Sequence, residues 1–269
     1  YVGGPEHAVG HLLYSRMWNN YLFDKGYTTH SEPFKKLVHP GMILGANGIK
    51  MGKRYPEFVV DPNDIVKKYG GDTLRLYEMF MGPLELSKPW DDNGAQASRK
   101  FLDRVYRLYQ EKKIEDTKES ELDMVYNQTV KKVTEDYESL NFNTAISQMM
   151  IFVNALSKAE IFPRAYAEGF VKLLNPICPF ITEELWQELG HTGTIAYEPW
   201  PTYDESKMVV DTVEIPIQIN GKLRGKICVS KTATEDEIKE KALEEVAVYV
   251  KDGYKKIIYI PGRIFNIVV

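Results

Sequence analysis

The stretch from residue 95 to residue 190 most narrows what this chain can fold into, because its apolar residues recur at helical spacing throughout. Phe101, Val105 and Leu108 fall on one face. So do Met124, Val125, Val130 and Val133, then Leu140, Ala145, Ile146, Met149, Met150, Val153 and Leu156, then Phe170, Val171 and Leu174. Spacings of three and four put such residues on one side of a helix and require other helices to cover it. The breaks fall at charged or proline-containing turns, so a bundle of about four or five helices is expected. Phe142, Met149, Met150 and Phe152 read as core rather than as a cofactor pocket. Pro176 and Pro179 mark a bend, after which Thr182 is expected to cap a closing helix.

The sequence is organised differently after residue 205. Val213, Ile215, Ile217 and Ile219 alternate with polar or proline positions, the pattern of a half-buried strand. Asn220-Gly221 supplies a hairpin turn. On the return strand Lys222, Arg224 and Lys226 alternate with Leu223, Gly225 and Ile227, which predicts three cations in a row on one strand face. Such a row is either a solvated edge or a set of phosphate contacts. A capping box, Thr234 with Glu237, opens a helix to Glu245. Strands over 256–260 and 264–268 close a small α+β domain.

Before the bundle the chain is richer in glycine. Tyr1-Val-Gly-Gly reads as a strand end entering a turn, so the chain is expected to begin in mid-fold. Pro5 suits the first turn of a helix, and Glu6 favours its positive end. His7, His11, Tyr14 and Trp18 share a face, while Leu12, Leu13 and Met17 are expected to pack inward. Two histidines at i and i+4 can bind zinc, but Ala8 stands where a metalloprotease needs glutamate, and no third ligand is in view. Glu6, His7 and His11 therefore either pack structurally or line a pocket for a ribose and an adjoining carboxylate or ammonium. Leu37–Leu44 is expected to be a buried strand broken by Pro40-Gly41. Asp61-Pro62 starts one helix. Gly70-Gly71 ends it, and Asp72 is expected to cap the next, with Arg75 as a helix-surface partner.

Between these lies Ile49-Lys50-Met51-Gly52-Lys53-Arg54, a loop of two lysines three apart among glycines. Flexible backbone and long ammonium stems suit a polyphosphate, although solvated charge gives the same pattern. With 269 residues, 43% hydrophobic and 27% charged, the chain has the composition of a globular protein of more than one domain. Its net charge of −4 confines any nucleic-acid contact to local patches. No apolar run approaches the ~20 residues of a membrane span. Cys178 and Cys228 are too far apart in sequence for a metal cluster, and they suggest a reducing compartment.

Tyr1 to Tyr14, the loop Lys50-Met-Gly-Lys53 and the stretch Tyr69-Gly-Gly-Asp-Thr-Leu-Arg-Leu-Tyr-Glu-Met-Phe80 together closely resemble the bacterial leucyl-tRNA synthetases. The likeness runs over the whole chain, and Pro261–Val269 looks like that family's C-terminus. It implies a multidomain α/β plus α architecture. Residues 1–48 would end a Rossmann-type class I catalytic domain, and 49–90 would form the lysine signature loop and stem-contact region. Residues 91–200 would be a helical anticodon-binding-type bundle that docks tRNA by shape and backbone. Residues 205–269 would be a small α+β tRNA-binding domain.

The resemblance implies that Gly3, Gly4 and Glu6 line the adenylate site with Lys50, Met51 and Lys53. His7 and His11 would shape the leucine pocket, and the catalytic lysines would be Lys50 and Lys53. Lys222, Arg224 and Lys226 would meet tRNA. No protein metal site is implied, only magnesium carried by ATP. Partners would be leucine, ATP and tRNA(Leu), for a monomer in the cytoplasm. Gly52 and Arg54 stand where the family carries serines. The family's His-x-Gly-His signature is absent, and His7-Ala-Val-Gly-His11 has one residue too many to replace it. That signature and the editing insertion are expected upstream, so the piece alone is expected to be inactive. The alternatives are a stand-alone RNA-binding module or a synthetase for another aliphatic amino acid.

Overall fold

The computed structural model describes residues 1–117, 119–208, 212–230, 233–250, 253–261 and 263–269, without the side chains of Thr212, Val213 and Ser230. The chain divides into two compact units, Tyr1–Lys207 and Met208–Val269. Beyond Met208 the next described residue is Thr212.

The first unit is built on five helices: α4 (Asp92–Glu111), α5 (Asp123–Glu138), α6 (Phe142–Lys158), α7 (Arg164–Leu174) and α8 (Pro179–Glu188). Their apolar stripes close on one core in which Val130, Val133, Ile146, Met149, Phe152, Phe170, Leu174 and Leu185 are fully buried. Met149 and Phe152 are thus packing residues, as their spacing implies. Two short parallel strands, β3 (Lys113–Glu115) and β4 (Ile161–Pro163), brace one end. Packing is close enough that a side chain at Gly169 would collide with the Tyr126 hydroxyl. Trp186 is buried with its ring stacked 3.6 Å from His191 and the Lys172 ammonium 5.1 Å from its centroid. Its indole Nε1 has no hydrogen-bond partner among the described residues.

Two short helices lead into the bundle: α2 (Pro62–Tyr69), capped by Asp61 as expected, and α3 (Gly71–Phe80). Gly70 joins them with φ at 91°, a conformation open to glycine. Asp72 does not cap its own helix. Its carboxylate accepts the backbone N–H groups of Phe180 and Ile181 at 3.3 and 2.7 Å, in the first turn of α8. Thr182 lies inside that helix and donates to the Cys178 carbonyl. The expected cap is therefore misplaced: Pro179 starts α8 three residues earlier, and the anion arrives from another helix. Nor does Arg75 pair with Asp72 along the helix surface. It donates to the carbonyls of Ile177 and Pro176 at 2.7 and 2.9 Å. Leu76 completes the attachment by entering the bundle core.

Residues before α2 depart most from expectation. The helix starts as a 3-10 turn at Pro5–His7, widens to a π turn at Ala8–Leu12 and becomes α1 at Leu13–Asp24. No residue of α1 is buried, and Leu13 and Met17, expected to pack inward, are exposed. Among the described residues no element covers that face. The buried strand expected over Leu37–Leu44 is reduced to β1 (Ile43–Leu44), half-buried and paired in parallel with β2 (Lys88–Pro89). Val38 forms only an isolated parallel bridge to Val2. The prolines and glycines of this stretch limit ladder pairing to single steps.

The second unit is a four-stranded sheet in the order β6-β5-β8-β7, from β5 (Thr212–Ile219), β6 (Lys222–Ser230), β7 (Lys256–Ile260) and β8 (Ile264–Val268), covered by α9 (Glu235–Glu245). Ile215, Ile217, Phe265, Ile267, Ile238 and Ala242 form its core. Val213, expected to continue the buried face, has a side chain outside the described residues. The Thr234–Glu237 capping box is present in both directions. Asn220 and Gly221 take positive φ values of 48° and 81°, which closes the β5–β6 hairpin tightly.

Candidate active site and nucleic-acid interface

The N-terminal residues are held by main-chain pairing. Gly3 N–H donates to Val38 at 3.0 Å, and Val38 N–H donates to Tyr1 at 2.9 Å. His39 Nδ1 lies 2.8 Å from the Gly3 carbonyl oxygen. This arrangement places Gly4, Pro5 and Glu6 on the wall of a cleft of about 480 Å³ that also includes His39, Met42, Glu85 and Ser87. Glu6 is exposed there. Of the residues read from sequence as one site, Gly4 and Glu6 share this cleft, whereas His7 and His11 do not line it.

His11 is half-buried and fully engaged. Its ring stacks on Tyr1 with centroids 5.3 Å apart and meets Tyr14 edge-on at 5.3 Å. Nδ1 lies 3.1 Å from the Tyr1 hydroxyl and Nε2 3.3 Å from Ser15 Oγ. His7 is exposed, and its ring makes no hydrogen bond among the described residues. The structure thus gives His11 a clear local role and leaves His7 open to a ligand. Tyr1, which clamps His11 and Phe34, had no motif to announce it.

The lysine loop leaves β1 through a tight turn in which Gly45 N–H donates to the Ile49 carbonyl at 2.9 Å and Leu44 bridges Lys50. Lys50, Gly52, Lys53 and Arg54 are exposed, and neither lysine forms an ion pair among the described residues. Met51 differs. Its side chain is half-buried against the cluster of Ile65, Tyr77, Trp90 and Ala95, and its sulfur accepts the Val60 N–H at 3.4 Å. Arg54 lies over the Tyr55 ring, 5.5 Å from its centroid.

The cation row of the second unit is broken. A register shift sets Ile217 opposite Gly225 but Gln218 opposite Leu223, so Arg224 is the extra residue of a bulge. Lys222 stands opposite the buried Ile219, whereas Lys226 stands opposite Pro216 on the other face. Lys226 is bonded to Glu214 at 2.6 Å, which raises its pKa, and Arg224 lies 5.0 Å from the Tyr249 ring centroid. All three remain exposed. They do not form a line along one face.

Residues 15–85 match the model of the class I tRNA synthetases specific for I, L, M and V, and residues 120–240 match that of the anticodon-binding domain of tRNA ligases. The crystal structure of Agrobacterium radiobacter K84 agnB2 LeuRS, a ternary complex with tRNA and LeuAMS, is 35% identical over the whole of this chain with a TM-score of 0.69. The chain belongs to the class I tRNA synthetases. Its architecture fits a segment of a leucyl-tRNA synthetase, carrying the anticodon-binding-type bundle. It spans 38% of the length of that relative.

Proposed function

We propose that this chain is part of a leucine–tRNA ligase, which joins leucine to ATP as leucyl-adenylate and then transfers leucine to the 3′ end of tRNA(Leu). The observation that carries this reading is the state of the lysine loop. Its backbone is tethered at the upstream end, while Lys50 and Lys53 present ammonium groups to solvent with no carboxylate partner among the described residues. In-line displacement at phosphorus needs positioning and charge neutralisation more than a nucleophile from the protein. Lys50 and Lys53 would hold the ATP phosphates, with Lys53 the larger contributor at the transition state, and magnesium would arrive with ATP as part of the substrate. Gly3, Gly4 and Glu6 would border the adenylate, and His7 and His11 the leucine side chain. Lys222, Arg224 and Lys226 would meet tRNA phosphates.

The test is ATP–pyrophosphate exchange by the full-length protein with leucine, isoleucine, valine and methionine in turn. Exchange stimulated by leucine above the others supports the reading, and stimulation by another of the four overturns its specificity. The 269-residue chain by itself, without a His-x-Gly-His motif, should give no exchange.

A further inference from the structure

We infer that Met51 is a positioning residue, the anchor that fixes where Lys50 and Lys53 can present their ammonium groups. This rests on the reading of the loop as the phosphate-facing element. The two lysines flank a single residue that turns inward. Met51 packs on the wall formed by Ile65, Tyr77, Trp90 and Ala95, and its thioether accepts the Val60 N–H at 3.4 Å. The start of the loop is tied to that same wall, because Leu44, which bridges Lys50, accepts the Trp90 N–H at 2.8 Å. The downstream side has less restraint. Tyr55 N–H donates to the Gly52 carbonyl at 3.1 Å, and a side chain at Gly52 would meet nothing within 4 Å.

Met51 is thus the one side chain between the lysines that ties the loop to α2, α3 and the entry to α4. An unbranched thioether suits the task, since it fills an irregular gap and accepts a weak hydrogen bond. An ammonium on a four-carbon stem has no rigidity of its own. Its placement against a transferring phosphoryl group is inherited from the backbone, and a displacement of about 1 Å can cost on the order of a hundredfold in rate.

The experiment compares Met51→Ala and Met51→Leu in the full-length protein. Met51→Ala should lower kcat for amino-acid-dependent exchange by about tenfold or more, with the KM for the amino acid and the affinity for tRNA unchanged. Met51→Leu restores the apolar contact and should recover most of kcat. Tryptic cleavage after Lys50 and Lys53 should be faster in Met51→Ala and near the wild-type rate in Met51→Leu. Cleavage is read without substrate, so it tests the anchor even where the specificity reading fails. The inference is overturned if Met51→Ala exchanges at the wild-type rate, or if its loop is cut no faster. It is also overturned if the fall in apparent kcat equals the unfolded fraction seen by circular dichroism, because loss of folded enzyme lowers kcat and leaves KM and tRNA affinity unchanged. Exchange driven by isoleucine instead of leucine would remove the substrate assignment and leave the anchor standing.

Discussion

The Asp72 carboxylate accepts the Ile181 N–H at 2.7 Å, so the first turn of α8 is capped from another helix, more than a hundred residues earlier in the chain. Phe180 donates to the same carboxylate, and Arg75, one turn along α3, holds the carbonyls of Pro176 and Ile177. The two side chains grip the start of α8 and the turn before it. The helix that follows the lysine loop is thereby fastened to the bundle.

Replacing Asp72 with Ala should destabilise the protein by about 1–2 kcal/mol in urea unfolding, the usual cost of losing a helix cap. Burial, outweighing the two backbone donors and Arg75, raises the Asp72 pKa above 3.8. A folded pKa above the unfolded one means that the folded state binds more protons between the two values, so stability declines as pH rises through that window. Asp72→Asn keeps an acceptor and cannot ionise. The stability of wild type relative to Asp72→Asn should therefore decline as pH rises above 3.8, and a constant difference would contradict this account.

The two thiols should react very differently. Cys178 is fully buried, 3.8 Å from the Asp72 carbonyl, and burial pushes its pKa far above the ordinary thiol value, whereas Cys228 is exposed. A maleimide should label Cys228 alone in the folded protein. Cys178 should label only on unfolding, read by mass spectrometry of the modified peptides.

Lys53→Ala in the full-length protein should slow adenylate formation on the order of a hundredfold, the scale of losing one charge-stabilising contact at a transition state. Affinity for tRNA should be unchanged. Pre-steady-state formation of adenylate and filter binding of tRNA separate the two quantities.

Replacing Lys222, Arg224 and Lys226 together should weaken tRNA binding and lower the slope of log affinity against log salt by about one per lost phosphate contact. Lys226→Ala alone should have the smallest effect of the three single replacements, because Glu214 already engages that ammonium. Titrations at several salt concentrations provide the measurement.

Legibility in the sequence followed the range of the interaction responsible. The Thr234–Glu237 capping box and the Asn220-Gly221 turn are contained in a few residues, and both form as their patterns imply. The bundle stripes were equally readable because burial repeats along each helix. The true partner of Asp72 was not, since no local pattern points from residue 72 to residue 181. Alternation alone implied a straight cation row on β6, but register belongs to the pair of strands, and the bulge at Arg224 lies in the pairing with β5. For the loop, sequence found the lysines, while the inward turn of Met51 depends on a wall built by residues 65 to 95.

Trp186 shows where the bundle holds stability in reserve. Its indole is retained for ring area between Lys172 and His191, yet the buried N–H has exchanged water for nothing among the described residues. An unpaired donor of this kind costs about 1–3 kcal/mol, but a phenyl ring in its place would leave a cavity where the rest of the indole packs. An engineer seeking a hardier version of this domain would keep the indole and bring an acceptor to that nitrogen.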